Sequence, residues 1–247
     1  EGMFEEAQKL LETDRAITIV PSTGIYLSDP YLWEQEAARL LAAKLCPCQL
    51  DVDVTRFLTE YETANGLDFS STQREAVHKL VESRVLLLTG QPGTGKTILT
   101  KAFTRLFDSL RFRTLLMAPT GIAAKRLSTA TGREATTIHR ALKYNGEEWG
   151  HYEGNRLFAD AVIVDELSMV DSELFYRLLT ALPEKTFLVL VGDDAQLPSV
   201  GPGSVLHELV KCPVIPTVKL TQIFRQSEKS TIVLNAHKIN RGEMLQL

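Results

Sequence analysis

The residues best able to do chemistry stand together in one run, Gly90-Gln91-Pro92-Gly93-Thr94-Gly95-Lys96-Thr97. The glycines sit where a backbone must turn its N–H groups toward an anion, and the spacing G-x-x-x-x-G-K-[ST] is that of a phosphate-binding loop. Lys96 supplies a cation for β- and γ-phosphate oxygens, and the Thr97 hydroxyl supplies a ligand for Mg²⁺. The apolar run Val85–Thr89 predicts a buried strand ahead of the loop, and Ile98–Leu110 predicts a helix behind it. A helix N-terminus placed there adds partial positive charge at the same anion. This order of strand, turn, Lys-Thr and helix separates the run from an ordinary Gly-rich turn, and it predicts binding of a nucleoside triphosphate.

Other polar residues end apolar runs. Val162-Ile163-Val164 leads into Asp165-Glu166. Beside a triphosphate, Asp165 would hold Mg²⁺ through water and Glu166 would act as general base on the attacking water. Strand alternation is expected to point the two side chains apart. A second run, Phe187–Val191, leads through Gly192-Asp193-Asp194-Ala195 to Gln196, which could contact the γ-phosphate or merely cap a turn. Ser70-Ser71-Thr72-Gln73 is a capping box, and it also sets Gln73 where its amide could meet an adenine edge. The sequence leaves both readings open.

Net charge is −4, which argues against a nucleic-acid binder at the level of the whole chain. Its distribution argues otherwise. Arg111, Arg113, Lys125, Arg126, Arg133, Arg140 and Lys143 fall in one segment whose one acid is Glu134. That excess is either a phosphate-binding stripe or a solvated basic helix face. The three cysteines, Cys46, Cys48 and Cys212, form no disulfide or metal framework, and no apolar run approaches a membrane span.

These residues need elements to hold them. Strands are predicted at Val85–Thr89, Thr114–Ala118, Ala161–Val164, Phe187–Val191 and Val214–Leu220, with helices between them. Their near-continuous apolar character suits a mostly parallel sheet buried on both faces, an α/β fold with its functional loops at the strand carboxyl ends. Residues 1–65 are expected to form a small separate α+β unit. It would comprise short strands at Ala16–Val20 and Ile25–Leu27, then a helix capped by Asp29 with Pro30 at its first position.

Taken together, the chain resembles superfamily one, type B DNA helicases of the RecD-like group, from about Gly66 to Gly242. The resemblance rests on Ser71-Thr72-Gln73-Arg74, on Leu88-Thr89-Gly90 through Thr97, and on Ala118-Pro119-Thr120-Gly121 through Leu127. It continues through Thr136-Thr137-Ile138-His139-Arg140, Asp165-Glu166-Leu167-Ser168-Met169, Val191-Gly192-Asp193 through Gly201, and Ile223-Phe224-Arg225-Gln226. It implies a RecA-like motor domain, residues 66–247, that binds ATP and Mg²⁺ and translocates 5′→3′ on single-stranded DNA at duplex junctions, in repair or recombination. It implies DNA contacts at Pro119, Thr120, Gly121, Lys125, Arg126, Thr137 and His139, and an arginine finger at Arg225. Residues 1–65 resemble a winged-helix-like segment. An aromatic insert with an Asn145-Gly146 turn, spanning 143–158, would be a hairpin acting as a strand-separating pin, or else a variable surface loop. No candidate for the motifs of a second RecA-like domain follows, so the isolated chain is expected not to unwind DNA. A cytoplasmic monomer is implied as well. Two alternatives remain: the helicase part of a conjugative relaxase-helicase, and a DNA-binding module with a vestigial P-loop.

Overall fold

A computed structural model of the chain describes residues 16–20 and 24–222, together with 11, 13, 235, 238, 239 and 242–244. Arg225 lies outside the described residues. The centre of the molecule is a six-stranded sheet of β3 (Val85–Gly90), β4 (Thr114–Ala118), β5 (Ala135–Thr137), β6 (Ala161–Val164), β7 (Phe187–Gly192) and β8 (Thr217–Leu220). Its spatial order is β5-β4-β6-β7-β3-β8, and every pairing in it is parallel. This is the mostly parallel, helix-flanked RecA-like architecture expected from the apolar runs. β5 was not predicted. It is a three-residue edge strand, Ala-Thr-Thr, paired only to β4, so it needs no apolar signature. β8 begins at Thr217 rather than Val214, because Ile215 N–H turns back to the Cys212 carbonyl (3.2 Å) and Pro216 has no N–H to give.

Alternation along the strands sorts their side chains onto two faces. Leu86, Leu88, Ile163, Val189 and Val191 face a core built with α3 (Ser71–Glu82) and α4 (Lys96–Ser109), centred on Phe103 and Phe107. Val85, Leu87, Val162, Val164, Leu188 and Leu190 face the opposite core, under α7 (Ser172–Ala181). The segment before residue 66 joins both cores. α1 (Ser28–Lys44) puts Ala37 and Leu41 into the α7 side, and α2 (Val54–Asn65) puts Val54, Leu58 and Tyr61 into the α3 side. Ahead of α1, β1 (Ile17–Val20) and β2 (Gly24–Leu27) form an antiparallel pair. α1 starts at Ser28, with extended Leu27 before it and no side-chain cap; Asp29, expected as the cap, lies in the first turn. Ser28 is instead tied to the hairpin: its hydroxyl meets that of Thr18 at 3.0 Å, and its N–H donates to the Ala16 carbonyl.

Lys44 closes α1 against the end of α7. It is 3% exposed, and its ammonium donates to the carbonyls of Pro183 and, at 3.4 Å, Glu184. Burial, helped by the nearby Arg156 charge, pushes its pKa down to about 8. A lysine with a lowered folded-state pKa is protonated in the unfolded chain and neutral in the native one between pH 8 and its ordinary value. Stability therefore rises with pH across that window. The stability of the wild-type chain minus that of Lys44→Met is expected to increase by about 2 kcal/mol between pH 8 and pH 10 in urea titrations. A pH-independent difference would show that the amine stays charged. The neutral amine keeps enough N–H donors for both carbonyls.

Candidate nucleotide and nucleic-acid site

The phosphate-binding loop connects β3, the strand next to the edge strand β8, to α4. β7 is hydrogen-bonded to β3, and β6 lies one strand further out, about 10 Å from β3 at the usual strand spacing. The sheet order thus stands Asp165-Glu166 and Asp193-Asp194, which follow β6 and β7, beside the loop. A cleft of about 510 Å³ opens there, lined by Gln91–Ile98, Asp165, Glu166, Gln196 and Arg126.

Within the loop, Gly90 has no room for a side chain: a Cβ would stand 2.6 Å from Thr94 Oγ1 and 2.8 Å from the Leu220 carbonyl oxygen. Gly93 and Gly95 have φ of 82° and 92°, a region that only glycine adopts at no cost. Thr94 Oγ1 donates to the Gln91 carbonyl at 2.8 Å and braces the turn. Lys96 is half-buried. Its ammonium donates to the carbonyls of Gly90 and, at 3.2 Å, Gln91. Burial lowers its pKa, and the fields of Asp193, Glu166, Asp165 and Asp194 oppose that shift.

β6 ends at Val164, so Asp165 and Glu166 lie beyond the strand and its alternation does not direct them. Both line the same cleft, and the backbone turns between them. Glu166 is a non-glycine residue in the left-handed region, φ 57° and ψ 45°, and its own N–H donates to Asp165 Oδ1 at 3.0 Å. A strained backbone of this kind persists only where its surroundings hold it, and it is concentrated at functional sites. Burial, reinforced by the neighbouring Glu166 carboxylate, raises the Asp165 pKa, while the Glu166 N–H opposes it.

Gln196 accepts a hydrogen bond from Ser168 Oγ at 3.2 Å, which links the β7 loop to the turn after Glu166. Sequence reasoning gave Ser168 no role; its only signal was its place two residues after the acidic pair. The same loop is wedged against α7: a Cβ on Gly201 would overlap the Asp171 carboxylate, and one on Gly203 would overlap Ser172 Oγ. Gln73 is 1% exposed and completes the capping box, accepting from Ser70 N–H at 3.0 Å. Its Nε2 is buried and has no hydrogen-bond partner among the described residues.

The residues expected to touch DNA lie at the carboxyl ends of β4 and β5. Ala118 and Thr137 are register partners, which brings Pro119-Thr120-Gly121 next to Thr137-His139. Thr120 caps α5 (Gly121–Thr131) through Ala123 N–H, and Thr137 caps the short α6 (Ile138–Ala141) through Arg140 N–H. Lys125 and Arg126 are exposed on α5, and Arg126 reaches over to line the nucleotide cleft. His139 stacks on Trp149 (centroids 5.5 Å), which in turn stacks on Tyr144 (4.4 Å). The insert is therefore an ordered loop. It is held by the isolated bridges Tyr144↔Trp149 and Tyr152↔Asn155, with Asn145 accepting from Glu147 and Glu148 N–H.

A parallel sheet, a phosphate loop between an inner strand and a helix, and an acidic pair two strands away define a RecA-like P-loop domain. The chain belongs to the AAA domain family, whose profile matches residues 68–247. It is 42% identical over 174 residues to the ATP-dependent RecD2 DNA helicase of Deinococcus radiodurans, a match covering 70% of this chain and 24% of that protein. It is 38% identical over 165 residues to the RecBCD enzyme subunit RecD of Mycolicibacterium smegmatis, covering 56% of this chain and 30% of that one. The RecD-like resemblance drawn from the motifs is thus met by the relatives. In fold it is similar to the Pif1 helicase of Candida albicans, with a TM-score of 0.51 and 23% identity over 70% of this chain and 44% of that one. The chain spans about a quarter to a third of the length of the curated relatives it matches. Among the described residues no helix is long and apolar enough to cross a membrane.

Proposed function

We propose that the chain is the ATP-binding motor domain of a RecD-like DNA helicase, coupling ATP hydrolysis to 5′→3′ movement on single-stranded DNA. The observation that carries this reading is the adjacency of two sites at the strand carboxyl ends. One is the phosphate loop with its acidic pair, and the other is the paired Thr120 and Thr137 caps that face a second strand end. Arg126 and the Gln196–Ser168 bond lie between them.

The donor set suits Mg²⁺ beside a triphosphate. Asp165 is a half-buried carboxylate whose charge needs compensation, and the Thr97 hydroxyl opens on the same cleft. When bound, the ion would neutralise developing phosphate charge. The chain's own residues do the rest. Backbone N–H groups of Gly93–Thr97 and the Lys96 ammonium hold the phosphates, and Glu166 takes the proton from the attacking water. Gln196 senses the γ-phosphate position and passes it to Ser168, and Gln73 Nε2 offers an unpaired donor to the adenine. Arg225 and a second RecA-like domain would complete the cleft. The work is done where cellular DNA is, in the cytoplasm of a bacterial-type cell.

The DNA reading is tested by fluorescence anisotropy of a labelled oligothymidylate. The Lys125→Ala/Arg126→Ala chain should bind more weakly and lose about 1.4 units of salt slope relative to wild type, roughly 0.7 per phosphate contact on a single strand. An unchanged slope would remove both residues from the interface. In the complete protein the 143–158 loop serves as the strand-separating pin. Deleting residues 145–154 should spare DNA-stimulated ATPase and abolish duplex unwinding, and intact unwinding would refute this.

A further inference from the structure

The basic segment found in the sequence does not stay together in three dimensions. Lys125 and Arg126 are on α5 near the nucleotide cleft, but Arg113, Arg133 and Lys143 line a different cleft, of about 600 Å³, on the open β5 side of the sheet. One end of it reaches Thr136, beside the Thr137 cap, but its Arg113 end lies about 17 Å from the Thr120 cap, because Arg113 precedes the five-residue β4 and Thr120 follows it. The cleft exists because β5 is short: it pairs only with Leu116–Ala118, leaving Thr114 and Leu115 without a neighbour on that side. The 143–158 loop forms the facing wall, through Lys143, His151 and Phe158.

Two features of this cleft call for a ligand. Phe158 is 77% exposed, and its ring carries the Arg113 guanidinium on one face, 4.6 Å from the centroid. Among the described residues neither Arg113 nor Lys143 has an ion-pair partner, whereas Arg133 is paired with Asp108. Glu134 is the one acid lining the cleft. Unpaired cations around an exposed aromatic face are what a single-stranded nucleic acid binds, its bases stacking and its phosphates meeting the charges.

We propose that this lateral cleft is a second single-strand nucleic-acid site, with a base stacked on Phe158 and its flanking phosphates on Arg113 and Lys143. The proposal rests on the DNA reading above and adds a contact that none of the motifs supplies. It places a strand against the loop proposed as the pin, at the end of the cleft opposite Thr136 and the Thr137 cap.

The test uses the 247-residue chain and a 20-nucleotide oligothymidylate. Phe158→Trp is compared with wild type so that the signals of Trp33 and Trp149 cancel. Quenching of the added tryptophan on titration, together with a roughly five- to hundredfold loss of affinity in Arg113→Ala/Phe158→Ala, is the expected result. Both side chains are on the surface, and an unchanged melting temperature confirms the fold of each variant. If the wild type binds the oligonucleotide while Phe158→Trp stays silent and the double variant binds equally well, this site is refuted and the cap contacts stand. If the wild type does not bind at all, the DNA reading falls and takes this site with it. Quenching by poly-glutamate but not by the oligonucleotide would assign the cleft to an acidic protein partner and overturn the proposal.

Discussion

Glu166→Gln in the complete protein is expected to lower the rate of ATP hydrolysis about 10²–10⁴-fold while nucleotide affinity stays within a few-fold, because it deletes proton transfer and little else. The change is nearly isosteric, and Glu166 makes no side-chain hydrogen bond or ion pair among the described residues, so its neighbours lose no partner. Its backbone, however, is held in the left-handed region, with the N–H on Asp165 Oδ1. Gln tolerates that conformation as Glu does, so the acidic pair keeps its geometry. Single-turnover kinetics with radiolabelled ATP, alongside equilibrium binding of a fluorescent ATP analogue, separate the two effects. Equal loss of binding and turnover would mean that Glu166 holds the nucleotide or shapes the loop, and the general-base role would be lost.

The second large effect is at Lys96. Lys96→Ala should weaken nucleotide binding by at least about 30-fold, the lower end for removing one partner of a hydrogen-bonded charge pair. In the structure the ammonium rests on the Gly90 and Gln91 carbonyls, so it must exchange those contacts for phosphate oxygens when a triphosphate enters. The half-buried stem follows the loop, and alanine at the first position of α4 costs the helix nothing in propensity. A melting temperature close to wild type is expected beside the lost affinity. Titration of a fluorescent ATP analogue into the isolated chain measures it directly, and undiminished affinity would exclude Lys96 from phosphate binding.

Much of the fold was legible because β3, β4, β6 and β7 are buried on both faces and so are written as unbroken apolar runs. β5, on the edge, is Ala-Thr-Thr and left no such trace. The phosphate loop was legible because its glycines answer to local backbone geometry: Gly90, Gly93 and Gly95 are required by close approach or positive φ, whatever surrounds them. Strand alternation was not a sound basis for placing Asp165 and Glu166. Strand alternation ends at Val164, and one left-handed residue does the turning. The α1 start also moved, because the β1–β2 hairpin claims Ser28, a contact ten residues away in sequence.

By itself, the sequence determined the chemistry available: a triphosphate cradle, an acidic pair, a capping box at Gln73, and the order of the motifs along the chain. These depend on residue type and near-neighbour spacing, which short-range sterics and hydrogen bonding impose wherever the segment lies. Only the tertiary structure decided which of these groups meet. The tertiary structure set β6 and β7 beside the phosphate loop, docked α1 and α2 into the two cores of the P-loop domain, and brought Arg126 to the wall of the loop's cleft. It also split one linear basic stretch into two surfaces, with Arg113, Arg133 and Lys143 far from Lys125. The reason is that β4 runs through the sheet between Arg113 and α5, so charges neighbouring in sequence are carried to opposite ends of a strand.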